Sequence, residues 1–399
     1  MTPVPPLPPL VEPGEPALTP EQVSRYSRHL LVPGMGMVAQ RRLLAARVAV
    51  VGAGGLGSPV LAYLAAAGVG HLTIIDDDAV DATNLQRQVI HRADAVGVPK
   101  GESAAAFVRG LNPDVTVSVR HTRIDAGNAR SLLRGHDVVL DGADNFPTRY
   151  AVSDACVALG TPLVWAAVLR FDAQLSTFVP GVADAVSLRD LFPVAPRPED
   201  VPSCSEAGVL GALVGQVGSI MASEVVKLIC GFGEPLVGRV LLVDALTQRS
   251  REIPLRPVGA VVEPVEREQV REVVPLPEVS PQEVHDLLTP SPAGVAQGAA
   301  PADHDPDALA PTVLDVREPA EHELGTVPGA LLVPVGEVLS WEDLDHHLPD
   351  GPVVVYCKAG PRAQRAAAHL VRLGRQDVSV MTGGILAWIE QVDPSLPSY

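Results

Sequence analysis

The chemistry-bearing residues of this chain fall into two groups. The first surrounds Gly52-Ala53-Gly54-Gly55-Leu56-Gly57, which lies between the β-branched run Arg47–Val51 and an Ala/Leu-rich stretch reaching about Ala67. Glycines here let the backbone turn tightly and approach a polyphosphate, and a helix opening behind them supplies free N–H donors. Asp76 ends the next apolar run, 24 residues after Gly52, where a carboxylate can hold ribose hydroxyls. On this fingerprint alone, an NAD-dependent oxidoreductase is the competing reading. Three later segments favour nucleotidyl transfer: Asn84-Leu85-Gln86-Arg87, Val98-Pro99-Lys100 and Asp141-Gly142-Ala143-Asp144-Asn145. Cations must neutralise a triphosphate as charge moves onto its pyrophosphate leaving group, and a carboxylate must hold Mg²⁺ beside the phosphates. Hydride transfer needs no such set.

The second group is Tyr356-Cys357-Lys358-Ala359-Gly360-Pro361-Arg362, which follows a strand-like run and opens a helix. A loop of this kind turns successive backbone N–H groups inward as an anion cradle. Those dipoles, with Arg362, are expected to stabilise a Cys357 thiolate. Four residues separate Cys357 from Arg362, a tight loop that suits one persulfide sulfur better than a phosphate. Cys204 precedes a small-residue-rich segment, and a thiol near a helix N-terminus is more nucleophilic at neutral pH. Burial as an inert thiol is the alternative for Cys204, and the preferred reading for Cys156 and Cys230 in their apolar helical contexts.

These residues need elements to carry them. Arg47–Val51 and His71–Ile75 read as buried strands with a helix between, and further strands are expected at 115–119, 137–140, 162–166, 174–179 and Arg239–Asp244. The alternation implies an α/β fold, a Rossmann-like and mostly parallel sheet with helices on both faces, over residues 21–255. Residues 208–229 read as a buried helix. Thr19-Pro20-Glu21-Gln22 has the form of a capped helix start, behind a Pro-rich tail over 1–20 that is expected to be disordered. The stretch 251–279 is rich in proline and charge and suits a linker, placed at 256–275, with a flexible reach on the order of 30 Å. Ser280-Pro281-Gln282-Glu283 then opens a second, smaller α/β domain over 276–399, with a flexible insertion at 289–311. Its strands are expected at 312–316, 330–334, Val353–Tyr356 and Val378–Met381, with a helix over 363–374.

Composition excludes some classes. The formal net charge of −17 argues against nucleic-acid or anionic-membrane binding. No apolar run approaches the roughly 20 residues that span a bilayer, and the start lacks the pattern of a signal peptide. The four cysteines are far apart and form no CxxC pair, which favours a reducing cytoplasm and leaves no zinc signature. Aromatic residues are only 4% of the chain, so Val, Leu and Ala must fill the cores.

Arg25-Tyr26-Ser27-Arg28, the glycine turn, Asp76, Asn84–Gln88, Val98-Pro99-Lys100 and Asp141–Asn145 come in one order at matching spacing. Over about residues 20–255 they resemble the MoeB/ThiF family, adenylyltransferases that activate ubiquitin-like sulfur carriers. The resemblance implies that Gly52, Gly54, Gly55 and Gly57 lie against ATP phosphates and that Asp76 binds the ribose. It implies that Thr83, Asn84, Leu85, Gln86 and Arg87 contact the nucleotide, with Arg87 and Lys100 on phosphate. Asp144 would hold Mg²⁺ with Asn145 beside it, and Arg28 would reach across a homodimer interface into the partner's site. Solvated surface charge is the alternative for Arg28, Arg87 and Lys100, and capping of a strand end or turn is the alternative for Asp141. Cys204 matches a family cysteine that attacks the acyl-adenylate or resolves a persulfide.

Asp315-Val316-Arg317-Glu318, Val327-Pro328-Gly329-Ala330, the Cys357 loop, Thr382-Gly383-Gly384 and Trp388 resemble the rhodanese family over about 276–399. Thr326 stands where that family commonly has histidine. Many adenylyltransferases of the first family carry two CxxC pairs for zinc; those places, near 185–188 and 257–262, hold no cysteine here, so no zinc is expected and local packing must substitute. Rhodanese-fused bacterial members look similar in this. Together the resemblances imply adenylation of the Gly-Gly carboxylate of a small ubiquitin-like sulfur carrier, then sulfur transfer from a Cys357 persulfide. A cysteine desulfurase or thiosulfate would load that sulfur. The rivals are a dehydrogenase fused to a sulfurtransferase, a non-catalytic carrier scaffold, and a ubiquitin-type conjugating activator. The last is disfavoured because the chain shows no separate large cysteine domain.

Overall fold

The structure, a computed structural model, describes residues 7–194, 208–258, 276–289, 311–344 and 347–397. The chain divides into two units, Met1–Pro264 and Val265–Tyr399.

The first unit opens with α1 (Pro20–Leu30), whose start carries the expected capping box: the Thr19 hydroxyl accepts from the Gln22 N–H and the Gln22 side chain from the Thr19 N–H. Next come α2 (Gly36–Ala45), β1 (Arg47–Val51), α3 (Gly57–Ala67), β2 (His71–Ile75), α4 (Lys100–Leu111), β3 (Thr116–Arg120), α5 (Ala129–Leu133), β4 (Val138–Asp141) and α6 (Phe146–Leu159). They are followed by β5 (Leu163–Leu169), β6 (Asp172–Phe178), α7 (Leu188–Leu191), α8 (Gly211–Cys230), β7 (Arg239–Asp244) and β8 (Arg249–Pro254). Among the described residues the strands form one sheet in the order β3-β2-β1-β4-β5-β6-β7-β8. β3 through β5 are parallel, and β6, β7 and β8 extend the sheet antiparallel.

β1 explains why its sequence is apolar throughout rather than alternating. Val48 and Val50 pack with α3 and α8 on one face, while Ala49 and Val51 pack with α5 and α6 on the other. A parallel strand covered on both sides reads as a continuous apolar run. β1 lies between β2 and β4, so chain direction diverges there and leaves a crevice at the strands' carboxyl ends. The glycine turn, Asp76 and Asp141 all sit at that end.

Three expectations need correction. Residues 7–18 of the Pro-rich start are packed, not disordered: Val11 and Leu18 are buried, the Leu10 N–H donates to the Leu228 carbonyl, and Arg41 donates to the Gly14 carbonyl. Prolines favour an extended chain, and apolar residues among them found a surface to cover. The linker stretch beginning at 251 overlaps β8, an exposed edge strand paired with β7 whose charged sequence carries no burial pattern. Residues 259–275, most of the expected linker, and 290–310, nearly all of the expected insertion, lie outside the described residues. Finally, α8 is apolar and long enough by itself to cross a membrane, which the sequence analysis did not anticipate; most of it is buried in the core. Its Glu224 marks a core helix, because the carboxylate accepts from the Thr177 hydroxyl (2.8 Å) and the Leu236 N–H (2.7 Å) and pairs with Lys227. Near residues 185–188, where local packing is expected to substitute for zinc cysteines, Ser187 caps α7, and Asp190 accepts from the Val258 N–H at 2.9 Å.

The second unit contains β9 (Glu278–Val279), α9 (Pro281–Leu288), β10 (Thr312–Asp315), α10 (Pro319–Glu323), β11 (Leu331–Leu332), α11 (Val335–Val338), β12 (Val353–Tyr356), α12 (Pro361–Arg372), β13 (Val378–Met381) and α13 (Gly384–Gln391). Its described strands form a parallel sheet in the order β11-β10-β12-β13-β9. α12 covers one face and α9 with α13 the other. The Ser280 capping box starts α9 as expected. β9 and α13 were not foreseen, because two residues show no period and α13 follows a glycine pair.

α8 seats against α3, the helix behind the glycine turn, through Gly218. A Cβ there would overlap the Pro59 ring and lie 2.8 Å from the Leu56 carbonyl oxygen. Gly218→Ala is therefore expected to cost about 1–3 kcal/mol through overpacking, read as a lowered urea midpoint for the first unit.

Candidate functional site

The crevice in the first unit is an open cleft lined by Gly52, Gly54, Gly55, Asp76, Arg87, Gln88, Lys100, Arg123, Asp144, Asn145 and Arg149, among others. The glycine turn follows from sterics. Gly52 has φ +87°, a left-handed conformation that favours glycine, and a Cβ on Gly57 would overlap the Gly52 carbonyl oxygen. Asp76, just past β2, is nearly buried. Its Oδ2 accepts from the Ala53 N–H (2.7 Å) and its Oδ1 from the Asp78 N–H (2.9 Å). Burial raises its pKa above the ordinary carboxylate value, and the two N–H bonds oppose that. The expected ribose ligand is thus also the anchor of the turn.

Lys100 is the first residue of α4, buried, and pairs with the exposed Asp78 at 2.8 Å. Arg87 donates to the Thr83 carbonyl at 3.1 Å and borders the cleft. Lys100 is therefore not a solvated surface charge, whereas Arg87 is half-buried. Thr83, Asn84, Leu85 and Gln86 form a short 3₁₀ turn and the residues after it, and are not among the residues that line the cleft. Arg28 is exposed in the last turn of α1 and likewise does not line it.

At the end of β4, Asp141 is fully buried. Its Oδ1 accepts from the Ala143 N–H at 2.8 Å, and its Oδ2 is a buried oxygen without a hydrogen-bond partner. Burial, partly offset by Arg149, pushes its pKa up to about 6. Asp141 therefore holds the turn, the capping role. Asp144 stands exposed at the cleft, and Asn145 caps α6 by accepting from the Thr148 N–H at 3.0 Å. Arg149 was missed by the sequence analysis. Its guanidinium donates twice to the Ala143 carbonyl (3.0 and 3.1 Å) and lies over the Phe146 ring. Its signal was weak, one helical turn beyond Asn145.

The donor set fits a Mg-nucleotide. The glycine turn and the cations Arg87, Lys100, Arg123 and Arg149 line the cleft together with the exposed carboxylate of Asp144. Among the described residues no cluster of three or more His, Cys, Asp or Glu can hold a metal alone. A cation at Asp144 would therefore take its other ligands from phosphates and water, the habit of Mg²⁺.

In the second unit, Cys357 follows β12 and is 1% exposed, with its Sγ accepting from the Gly360 N–H at 3.1 Å. The loop is held from behind: the Ile385 and Leu386 N–H groups donate to the Cys357 and Lys358 carbonyls at 2.9 and 3.2 Å. With carbonyls drawn outward to the start of α13, the loop's N–H groups are left for the thiol side. Two Arg362 nitrogens pair with Glu321 at 2.6 and 2.7 Å, so part of the charge expected at the thiolate is taken by a carboxylate. Thr326 bonds the buried Tyr356 hydroxyl at 2.7 Å, which donates onward to Asp315. Arg317 meets the same aspartate in a fully buried ion pair. Cys204 lies outside the described residues. Cys156 and Cys230 are buried and their thiol pKa values are raised by burial, in keeping with inert cysteines.

Residues 26–259 match the ThiF family and residues 299–391 the rhodanese-like domain. The chain belongs to the ThiF family. It is 42% identical to the "Probable adenylyltransferase/sulfurtransferase MoeZ" of Mycobacterium tuberculosis, over 98% of this chain and 99% of that protein. It is 37% identical to the "Adenylyltransferase and sulfurtransferase MOCS3" of Drosophila sechellia, over 96% of this chain and 86% of that one. The "SAMP-activating enzyme E1" of Haloferax volcanii matches at 52% over 59% of this chain and 86% of its own. Among solved structures, Escherichia coli MccB shares the fold with a TM-score of 0.53 at 22% identity, over 60% of this chain and 73% of that one. This ThiF-family chain is accordingly an adenylyltransferase and sulfurtransferase that uses ATP, and the oxidoreductase and scaffold readings fall away.

Two tests follow. A Cβ on Gly384 (φ +60°) would overlap the Cys357 carbonyl oxygen. Gly384→Ala should therefore lose most thiosulfate-to-cyanide sulfur transfer while ATP binding is unchanged. Asp141 is protonated in the folded chain up to about pH 6 but ionises near 3.8 when unfolded. Stability contributed by the neutral acid is then lost as pH rises through that window, by an amount on the order of 3 kcal/mol. Asp141→Asn should flatten that slope in urea unfolding between pH 4 and 7.

Proposed function

We propose that the first unit adenylates the C-terminal Gly-Gly carboxylate of a small ubiquitin-like sulfur carrier and that the second delivers sulfur to the product. The observation that carries this reading is the pairing, in one chain, of a cleft lined by a glycine turn and cations with a buried thiol that accepts from a backbone N–H in a tight loop. The names of the relatives, which pair the same two activities and include the activation of a SAMP, support it.

In this reading the glycine turn and its helix N-terminus receive the phosphates, Lys100 and Arg87 neutralise them, and Asp76 reaches the ribose with its remaining lone pairs. Asp144 holds Mg²⁺, which would screen phosphate charge. The carrier carboxylate attacks the α-phosphorus and pyrophosphate leaves. A donor, a cysteine desulfurase persulfide or thiosulfate, gives Cys357 its outer sulfur. That sulfur attacks the acyl carbon, AMP leaves, and an acyl disulfide links carrier to Cys357. The Cys204 thiolate then attacks the Cys357 sulfur, releasing thiocarboxylate and leaving a Cys204–Cys357 disulfide for a thiol reductant. Arg28 completes a neighbouring subunit's site in a homodimer, and a reducing cytoplasm keeps the thiols available.

Carrier-dependent ATP–pyrophosphate exchange tests the first step. Asp144→Ala is expected to slow exchange on the order of a hundredfold. Cys357→Ala should leave exchange intact and abolish thiocarboxylate, read by intact mass of the carrier. Thiocarboxylate formation by Cys357→Ala would remove Cys357 from the pathway.

A further inference from the structure

The two turns that border the nucleotide cleft are built alike. In the first, the Ala53 peptide is held at both ends: its N–H by Asp76 (2.7 Å) and its carbonyl by His91 Nε2 (2.9 Å). In the second, the Ala143 N–H is held by Asp141 (2.8 Å) and its carbonyl by Arg149 through Nε and Nη2 (3.1 and 3.0 Å). The residues that follow, Gly54 and Gly55 in one turn and Asp144 in the other, line the cleft. We infer that His91 and Arg149 are positioning residues for adenylation, each holding the backbone carbonyl of a turn that lines the cleft.

His91 is 6% exposed, and both ring nitrogens are engaged. A carbonyl only accepts, so Nε2 carries the hydrogen and Nδ1 accepts from the Ser103 hydroxyl at 2.9 Å. Burial holds the ring's pKa below its ordinary value, which keeps that neutral tautomer. Ser103 lies on α4, the helix that begins with Lys100, so one imidazole fixes the glycine turn relative to the helix carrying a phosphate-facing cation. Arg149 is 8% exposed and its guanidinium is set between the Phe146 ring and the Trp165 ring, 5.2 and 6.0 Å from their centroids. Its two-pronged grip on one carbonyl leaves the Ala143 peptide little freedom to rotate. A site that is fixed before the ligand arrives spends less of its binding energy on ordering.

The inference rests on the cleft being the ATP site, and the test separates the two. Calorimetric binding of Mg²⁺ with α,β-methylene-ATP to the full chain comes first, and a parent that does not bind overturns the ATP reading itself. His91→Ala and Arg149→Met are each expected to raise the Kd about tenfold, the scale of one lost hydrogen bond. His91→Gln, whose amide N–H reaches the same carbonyl, should return it to within about threefold of the parent, and Ser103→Ala should raise it about threefold. Thiosulfate-to-cyanide transfer by the second unit should stay at the parental rate throughout. A purely structural role would lower the melting temperature and leave the Kd of the folded protein at the parental value. That outcome in His91→Ala, or in Ser103→Ala where His91→Ala yields no folded protein, overturns the inference.

Discussion

The bond from the Ala53 N–H to the Asp76 carboxylate joins the end of β2 to the turn after β1, and the cleft of the first unit depends on it. It works because β1 and β2 are parallel neighbours in register, Val51 opposite Ile75, so both chains leave the sheet side by side. A carboxylate at one strand end can then take an N–H from the next turn. Burying a charge without partners is costly. Asp76 is tolerated because two backbone N–H groups satisfy it, and the same bonds stiffen the glycine turn that borders the cleft. The β4 end repeats the plan with Asp141, at greater cost, since one of its oxygens has no partner.

The second unit solves a related problem. A thiol that carries sulfur needs N–H groups around it, and a tight loop also has carbonyls to satisfy. Here the first residues of α13 take those carbonyls from outside, at a glycine pair where no side chain would fit. The Arg317–Asp315 ion pair and Tyr356 fix the strand ends on either side. Such a buried pair does not guarantee stability, but with every donor aimed at a carboxylate or carbonyl it defines one arrangement.

Fold class was legible because hydrophobic runs and glycine punctuation report directly on strand and turn. β1, β2, β7, β12 and β13 lie where those patterns place them. What was missed carries no local signal: β8 is exposed and charged, β9 is two residues long, and α13 begins at a glycine pair. The packed start over 7–18 was misread because proline content speaks of an extended chain, not of what the chain lies upon. Of the candidate nucleotide-site residues, Gly52, Gly54, Gly55, Asp76, Arg87, Lys100, Asp144 and Asn145 line the cleft, while Gly57, Thr83 to Gln86 and Arg28 do not.

The sequence by itself determined which atoms are available: glycines where side chains cannot fit, carboxylates at strand ends, cations after them, and a cysteine at the head of a tight loop. Those are local properties of residue type and spacing. Only the tertiary structure decided what each group is bound to. It turned Asp141 into a buried capping acid, gave Arg362 a carboxylate partner, and brought His91 and Arg149 onto the carbonyls of the two cleft turns. His91 is 38 residues from the carbonyl it holds, and no spacing rule reaches that far. The physical reason is that hydrogen-bond partners are chosen by proximity after the sheet has formed, and proximity across strands is not written in the chain order.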